Sequence, residues 1–438
     1  MDNYSSSKKT DHINHIFDPD SFETVEESPA AYITRGVLLN PTFGIPGTVL
    51  AIKSSSYLPE YSQEPHDIVK ELEILSQLNN INVIEVLGHT YDRGLHSLNF
   101  WMPLIPRKFR SLLDSPTFSP HPLIDLPGSS NTENERKFCI VAKSIIFQTI
   151  SAIAYLHDPS NSIAHRDIKP RNLLLDENGT LKLIDFGVAW KEDIVPSSKH
   201  IWPEPRGKMY VDVCTGPYRA PELIFGPTDY DPFAVDLWSL GTTLSELFTP
   251  LRLESDEEID DEAEEDQTTP PRPFIVPSNI RMYNLSRTQW SRDSLFDSSR
   301  GAIGLAWSIF KIRGTPTPEN WPTFSTLPDA DKLSFQIVPT ANLRTFLPNL
   351  PSEHPSDSDS FHYPPEQTTC SLFDLLRRFL VYSPEKRLKA ADALNHKWLI
   401  NDKHPLLLPE GYSTSSALDT IHEWQGCSLG DLMLSFLR

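Results

Sequence analysis

Residues 164–190 read AHRDIKPRNLLLDENGTLKLIDFGVAW, and no other stretch constrains this chain so tightly. His165-Arg166-Asp167 is followed by Lys169 and Asn172, and Asp185-Phe186-Gly187 comes eighteen residues after Asp167. Between them, LLL and LKLIDF flank DENGT, two short apolar runs around Asn178-Gly179, which is a hairpin signal. An isolated His-Arg-Asp or Asp-Phe-Gly arises by chance. The ordered set around its hairpin is a highly specific pattern.

The rest of the chain sets the frame. At 438 residues it is long enough for two or three domains or one large bilobal unit. Its 39% hydrophobic content supplies a packed core and excludes wholesale disorder. The net charge of −20 argues against a nucleic-acid partner, although part of it is local, in the almost wholly acidic run 254–266. Cys139, Cys214, Cys370 and Cys427 lie far apart with no C-x-x-C, which disfavours zinc and fits reduced thiols inside a cell. Residues 1–30 carry no apolar signal segment. The apolar stretch 140–156 is interrupted by Lys143, Ser144, Gln148 and Ser151 and reads as an amphipathic helix rather than a membrane span. The expectation is an intracellular protein, in cytoplasm or nucleus, without a membrane partner.

Residues 1–29 are polar and aperiodic and read as a flexible leader. From 30 to 102 short apolar runs surround one helix, with Ile68, Leu72, Leu75 and Leu78 on one face, which predicts a small sheet with a single helix. After Pro103 long helices follow, over 135–157, 232–248, 301–311, 371–381 and 390–399, within a region running to 400. Three insertions interrupt it. The Pro/Ser-rich stretches 115–134 and 347–365 read as loops, and 251–297 reads as a solvated linker. The tail, 401–438, carries scattered large apolar residues that suit packing back on the protein or docking elsewhere.

The central motif resembles the catalytic core of the eukaryotic protein kinases. That resemblance implies an α+β bilobal fold, with a β-rich N-lobe and a larger, mainly helical C-lobe. ATP and Mg²⁺ are the implied cofactors, and a protein hydroxyl the acceptor. Asp167 would orient the hydroxyl and take its proton, and Lys169 would neutralise charge on the transferring phosphoryl group. Asn172 and Asp185 would hold Mg²⁺ through hard oxygen donors. His165 reads as a structural histidine beneath the loop. Lys53, on the strand-like VLAIK, and Glu71, eighteen residues later, resemble the ion pair that aligns the lysine with the α- and β-phosphates. Phe100, Trp101 and Met102 would form the hinge beside adenine. Glu222 would pair with Arg387, and Asp236 would brace the catalytic loop. YRAPELIFG and GTPTPENWPTF resemble the cyclin-dependent kinases and their relatives.

Two departures narrow the resemblance. Aligned backwards without gaps from Lys53, the glycine loop falls on 31–37, where Gly36 matches the third glycine and Val37 the adenine-covering valine. Ala31 and Ile33 replace the first two glycines. If a left-handed backbone is needed there, this costs about 1–2 kcal/mol and weakens ATP binding. The activating-threonine position falls on Tyr210. Of the three arginines that gather its phosphate, Arg166 remains and the other positions read Lys70 and Trp190. Asp212 is then a candidate fixed negative charge for Arg166, with Ser197 or Ser198 phosphorylation as the alternative. Together these features are most like the fungal monomeric CDK-activating kinases. That resemblance implies a substrate that is the activation-segment threonine of a cyclin-dependent kinase, a monomeric enzyme and no required cyclin. The competing readings are a pseudokinase scaffold, resting on the altered glycine loop, and an acidic insertion that binds basic partners.

Overall fold

A computed structural model describes residues 13–123, 132–192, 200–255, 271–276, 288–351, 371–401, 403–414 and 418–437. Its N-terminal part is a five-stranded antiparallel sheet in the order β1-β2-β3-β5-β4: β1 (Glu23–Glu27), β2 (Tyr32–Val37), β3 (Val49–Ser56), β4 (Gly88–Asp92) and β5 (Ser97–Pro103). One helix, α1 (Ile68–Leu75), packs against it, started by Asp67, whose side chain accepts hydrogen bonds from the Val69 and Lys70 amides.

Strand alternation divides this lobe into two faces. Leu50, Ile52 and Trp101 share one with Ile16, Phe17 and Leu38, forming a separate small core. Ala51, Phe100 and Met102 belong to the main core on the other side. The described part of the expected flexible leader packs on the sheet. Phe17 is fully buried and meets the Trp101 ring edge-on at 5.4 Å. Complete burial of a phenylalanine is worth about 1.5–3 kcal/mol, enough to fix a segment whose polar composition conceals its few anchors.

The C-terminal part is mainly helical. After β6 (Arg107–Lys108) and α2 (Phe109–Leu113) comes α3 (Thr132–His157), then β7 (Ile163–Ala164), the hairpin β8 (Leu173–Leu175) and β9 (Leu181–Leu183), and β10 (Trp190–Lys191). The Asn178-Gly179 turn predicted between β8 and β9 is present, with Gly179 at φ 87°. The helices α4 (Pro221–Ile224), α5 (Pro232–Ser245), α6 (Gly301–Arg313) and α7 (Leu372–Phe379) follow. The helix expected over 390–399 is two short ones, α8 (Ala390–Ala393) and α9 (Lys397–Asn401). The ring of His396 between them bonds to the Asp374 carboxylate and, through Nδ1, caps the Trp398 amide.

Helix α3 is long and apolar enough to cross a membrane, yet it is the buried axis of this lobe. Its polar interruptions do not form the expected solvated face. Gln148 accepts from the Leu181 amide and donates to the Gly179 carbonyl, Lys143 donates to the His404 carbonyl, and Ser144 to that of Leu407. These residues fasten the hairpin and the tail to the core, and satisfying their polar groups is what makes burial tolerable.

The described parts of the insertions 115–134 and 251–297 are more structured than their composition suggested. The stretch read as a linker forms β11 (Leu251–Ser255), β12 (Phe274–Ile275) and β13 (Thr288–Arg292), and Arg292 is buried, donating to the carbonyls of Leu113, Phe118, Leu247 and Thr249. In the first insertion Phe118 is buried against Phe138 and Phe436. Most of the acidic run, most of 347–365, and Ser197 and Ser198 lie outside the described residues. The tail packs back on the lobe through the two-stranded pair β14 (Leu406–Leu407) and β15 (Thr420–Ile421) and helix α10 (Leu429–Ser435).

Candidate active site

The site lies where the sheet face carrying Ala51 and Lys53 meets the loops around the β8–β9 hairpin. Lys53 bonds to Glu71 on α1 at 2.7 Å and to Asp185 at 2.7 Å. Glu71 also accepts from the Phe186 amide at 3.0 Å, so one carboxylate ties α1 to both the lysine and the chain after Asp185. Burial opposes charge on Lys53, but attraction to Asp185 and then Glu71 outweighs it and holds the amine above its ordinary value. Burial likewise opposes ionisation of Asp185, and Lys53 overrides it, holding this carboxyl below the usual range. Burial pushes the Glu71 carboxyl up, with Lys53 opposing.

The catalytic-loop residues are set by local backbone geometry. His165 and Arg166 donate their amides to the two oxygens of buried Asp236, each at 2.7 Å. Arg166 (φ 61°) and Asp185 (φ 66°) both adopt left-handed backbone, a conformation that costs a non-glycine residue about 1–2 kcal/mol and persists where surrounding bonds enforce it. The His165 ring packs edge-on to Phe186 at 4.7 Å and bonds to the Ile184 carbonyl, which is a structural position.

Around Asp167 a small polar circuit closes. Lys169 Nζ lies 2.8 Å from Asp167 Oδ2, and Asn172 donates through Nδ2 to the Asp167 carbonyl and carboxylate. Thr215 completes the circuit: its hydroxyl donates to Asp167 Oδ1 at 2.8 Å and accepts from Lys169 at 2.7 Å. Sequence reasoning passed over Thr215, a generic hydroxyl that meets Asp167 only because the chain returns. Because Asn172 Nδ2 is turned to Asp167, its amide oxygen is the atom available to a cation. Asp185, ionised and one-third exposed, supplies a second hard donor, so this pair fits Mg²⁺.

The expected glycine-loop contact is corrected. The β1–β2 turn is Ser28–Ala31, closed by the Ser28 hydroxyl, and this turn contains no glycine. Gly36 instead pairs with Leu50, and a Cβ there would meet Phe22 and Ile52 at 3.0–3.1 Å; it is small because the outer core crowds it. Val37 pairs with Val49, four residues along β3 from Lys53, whereas Ile33 is the residue directly opposite Lys53. Gapless alignment misplaced Gly36, whereas Val37 shares the sheet face of Lys53. Of the hinge candidates, Phe100 and Met102 pair with Lys53 and Ala51 and share their face. Trp101 points the other way, into the outer core against Phe17 and Phe43.

The supporting pairs are in place. Arg387 grips Glu222 bidentately at 2.7 Å, buried beside Trp238. Asp212, the candidate charge for Arg166, is 90% exposed and lies 3.3 Å from Arg219 instead. Beside Lys169 and Thr215 opens a groove of about 530 Å³, walled by Arg110, Arg171, Pro217 and strand β13 of the insertion.

Comparison with known proteins agrees with this geometry. The family model for a protein kinase domain matches residues 46–399. The serine/threonine-protein kinase ppk23 of Schizosaccharomyces pombe is 26% identical over 90% of this chain and 75% of its own length. Cyclin-dependent kinase 11 of Dictyostelium discoideum is 26% identical over 82% and 76%. Cyclin-dependent kinase 20 of Rattus norvegicus is 29% identical over 61% and 57%. In fold, the chain is similar to one in the crystal structure of the yeast RNA Pol II CTD kinase CTDK-1 complex, with TM-score 0.54, 21% identity, and coverage of 86% of this chain and 92% of that one. The chain belongs to the protein kinase family, with serine/threonine and cyclin-dependent kinases among its relatives.

Proposed function

We propose that this protein transfers the γ-phosphoryl group of ATP to a serine or threonine hydroxyl of a protein substrate. The observation that carries the reading is a pair of charge networks: Lys53 bonded to both Glu71 and Asp185, and Asp167 held by Lys169, Asn172 and Thr215. A chain that had abandoned phosphoryl transfer would have no reason to keep buried charges in this order, since each is costly unless paired. In this reading Lys53 holds the α- and β-phosphates, and Asn172 and Asp185 would hold Mg²⁺, which would supply charge neutralisation to the phosphates. Asp167 orients the hydroxyl. As the hydroxyl oxygen bonds to the γ-phosphorus, the bond to the ADP oxygen breaks and the proton passes to Asp167. Lys169 faces the transferring group.

The finer proposal is that the acceptor is the activation-segment threonine of a cyclin-dependent kinase, and that this protein acts as a monomer without a cyclin. Its support is the resemblance of the large lobe together with the missing activating threonine at Tyr210. The test is to incubate the protein with Mg-ATP and an unphosphorylated, cyclin-free cyclin-dependent kinase and to map the acceptor by mass spectrometry. Phosphate on the activation-segment threonine supports the proposal. Phosphate on peptides but not on that kinase leaves the reaction class and overturns the substrate. The altered Ser28–Ala31 turn favours a scaffold as the second reading, which equal and negligible transfer by wild type and Asp167→Asn would support.

A further inference from the structure

Among the described residues, the most completely paired carboxylate outside the catalytic network is Glu204, which the reaction does not use. Its side chain is 2% exposed. Arg166 reaches both of its oxygens, Nη1 to Oε1 at 2.8 Å and Nη2 to Oε2 at 2.6 Å. Lys70 reaches Oε2 at 3.0 Å, and the Tyr210 amide donates to Oε1 at 2.9 Å. Three separate elements therefore converge on one carboxylate. Arg166 directly precedes Asp167, Lys70 directly precedes Glu71 on α1, and Tyr210 belongs to the segment that leads to Thr215.

The surroundings show that this is a built site. Tyr230 accepts from Arg166 Nη1 at 3.0 Å and donates to the Tyr210 carbonyl at 2.6 Å, closing a ring around the carboxylate. The same segment meets α1 twice more, through the Trp202 amide on Asp67 at 3.0 Å and His200 on Glu73 at 2.8 Å. Burial opposes ionisation of Glu204, yet Arg166 and Lys70 hold its carboxyl down at about 2. A neutral group there would leave the buried guanidinium of Arg166 facing an amide, with no charge to balance it.

We propose that Glu204 is a positioning residue that locks the catalytic loop, α1 and the segment 200–215 into the transfer-competent arrangement, so that the unmodified chain needs no added phosphate there. The proposal rests on the kinase reading. A carboxylate offers Arg166 and Lys70 what a phosphate monoester would: an anion with oxygens in a plane suited to bidentate pairing. Being genetically encoded, it cannot be removed by a phosphatase, and the switch is fixed on.

The test uses the full chain made in bacteria and a degenerate Ser/Thr peptide pool as substrate. Wild type should keep its kcat after phosphatase treatment. Glu204→Gln should lose about tenfold or more in kcat, while Glu204→Asp, which retains the charge, should stay within about threefold of wild type. Asp212→Asn should match wild type. Loss of wild-type activity on phosphatase treatment overturns the proposal, as does Glu204→Gln within about twofold of wild type. Equal losses in Glu204→Gln and Glu204→Asp, tracking lowered melting temperature, would make the role merely structural and also overturn it. If Glu204→Gln does not fold, Lys70→Met decides: a kcat about three- to tenfold down supports the proposal, and an unchanged kcat overturns it. Failure of the kinase reading is distinguishable, because wild type would then equal Asp167→Asn.

Discussion

The residue whose effect is most directly set by geometry is Thr215. Its hydroxyl donates to Asp167 Oδ1 at 2.8 Å and accepts from Lys169 at 2.7 Å, so it holds the proposed proton acceptor and its cationic partner at fixed separation. Thr215→Val keeps the branched shape and deletes only the oxygen. Two hydrogen bonds to charged groups are lost, each worth about 1.5–3 kcal/mol when made. Lys169 is partly exposed and still pairs with Asp167 at 2.8 Å, so water and the direct ion pair recover part of this. A net loss of about 1.5–3 kcal/mol in the transition state corresponds to a fall of roughly 10- to 150-fold in kcat. The substitution leaves Lys53, Glu71 and Asp185 untouched, so KM for ATP should move by no more than about threefold. Thr215→Ser retains the hydroxyl and should recover most of the rate. The assay is steady-state phosphoryl transfer to a Ser/Thr peptide pool with melting temperature measured alongside. A Thr215→Val enzyme within about twofold of wild-type kcat would refute the reasoning.

Three other perturbations have definite expected outcomes. Ser28→Ala removes the hydroxyl that both donates to and accepts from Ala31 across the β1–β2 turn, so KM for ATP should rise about three- to tenfold with kcat retained, as read from an ATP titration. Burial raises the Glu246 carboxyl to about 8, against the Tyr218 hydrogen bond and Arg110, so below its unfolded value both states are protonated and between there and pH 8 only the unfolded state ionises. Its contribution therefore lowers stability as pH rises through that window, and Glu246→Gln should raise the melting temperature relative to wild type by about 2–4 °C more at pH 8 than at pH 4.5 in a thermal shift series. Gly430→Ala would drive a Cβ into the Glu177 carbonyl, so α10 should lift from the β8–β9 turn at a cost of about 1–3 kcal/mol, seen as faster proteolysis at the tail.

The candidate site was legible in the sequence where its members sit close together in fixed order. Asp167, Lys169, Asn172 and Asp185 flank one hairpin, so spacing alone brings them to one end of it. Lys53 and Glu71 were legible through the family resemblance, since on its own Glu71 reads as a solvated helix charge. Thr215 and Glu204 were not legible as functional residues. Each is an ordinary residue type whose meaning comes from a chain return across 48 and 38 positions, to Asp167 and Arg166 respectively. Gly36 and Trp101 failed for a different reason. Counting residues from a motif fixes a position along a strand, but strand pairing decides the face, and a one-residue difference turns a side chain from cleft to outer core. The leader and the 251–297 insertion misled through composition. Their few anchors, Phe17 and Arg292, are buried by partners distant in sequence.

The central claim is that Asp167 and the network around it perform phosphoryl transfer. The most direct measurement is Mg-ATP-dependent incorporation of γ-phosphate into a Ser/Thr peptide pool by wild type and by Asp167→Asn, with equal ATP binding verified by titration. The account predicts time-dependent incorporation by wild type and a fall of about 100-fold or more in the variant, the scale expected when a positioned base is lost. Equal incorporation by the two folded proteins, at whatever level, would contradict it.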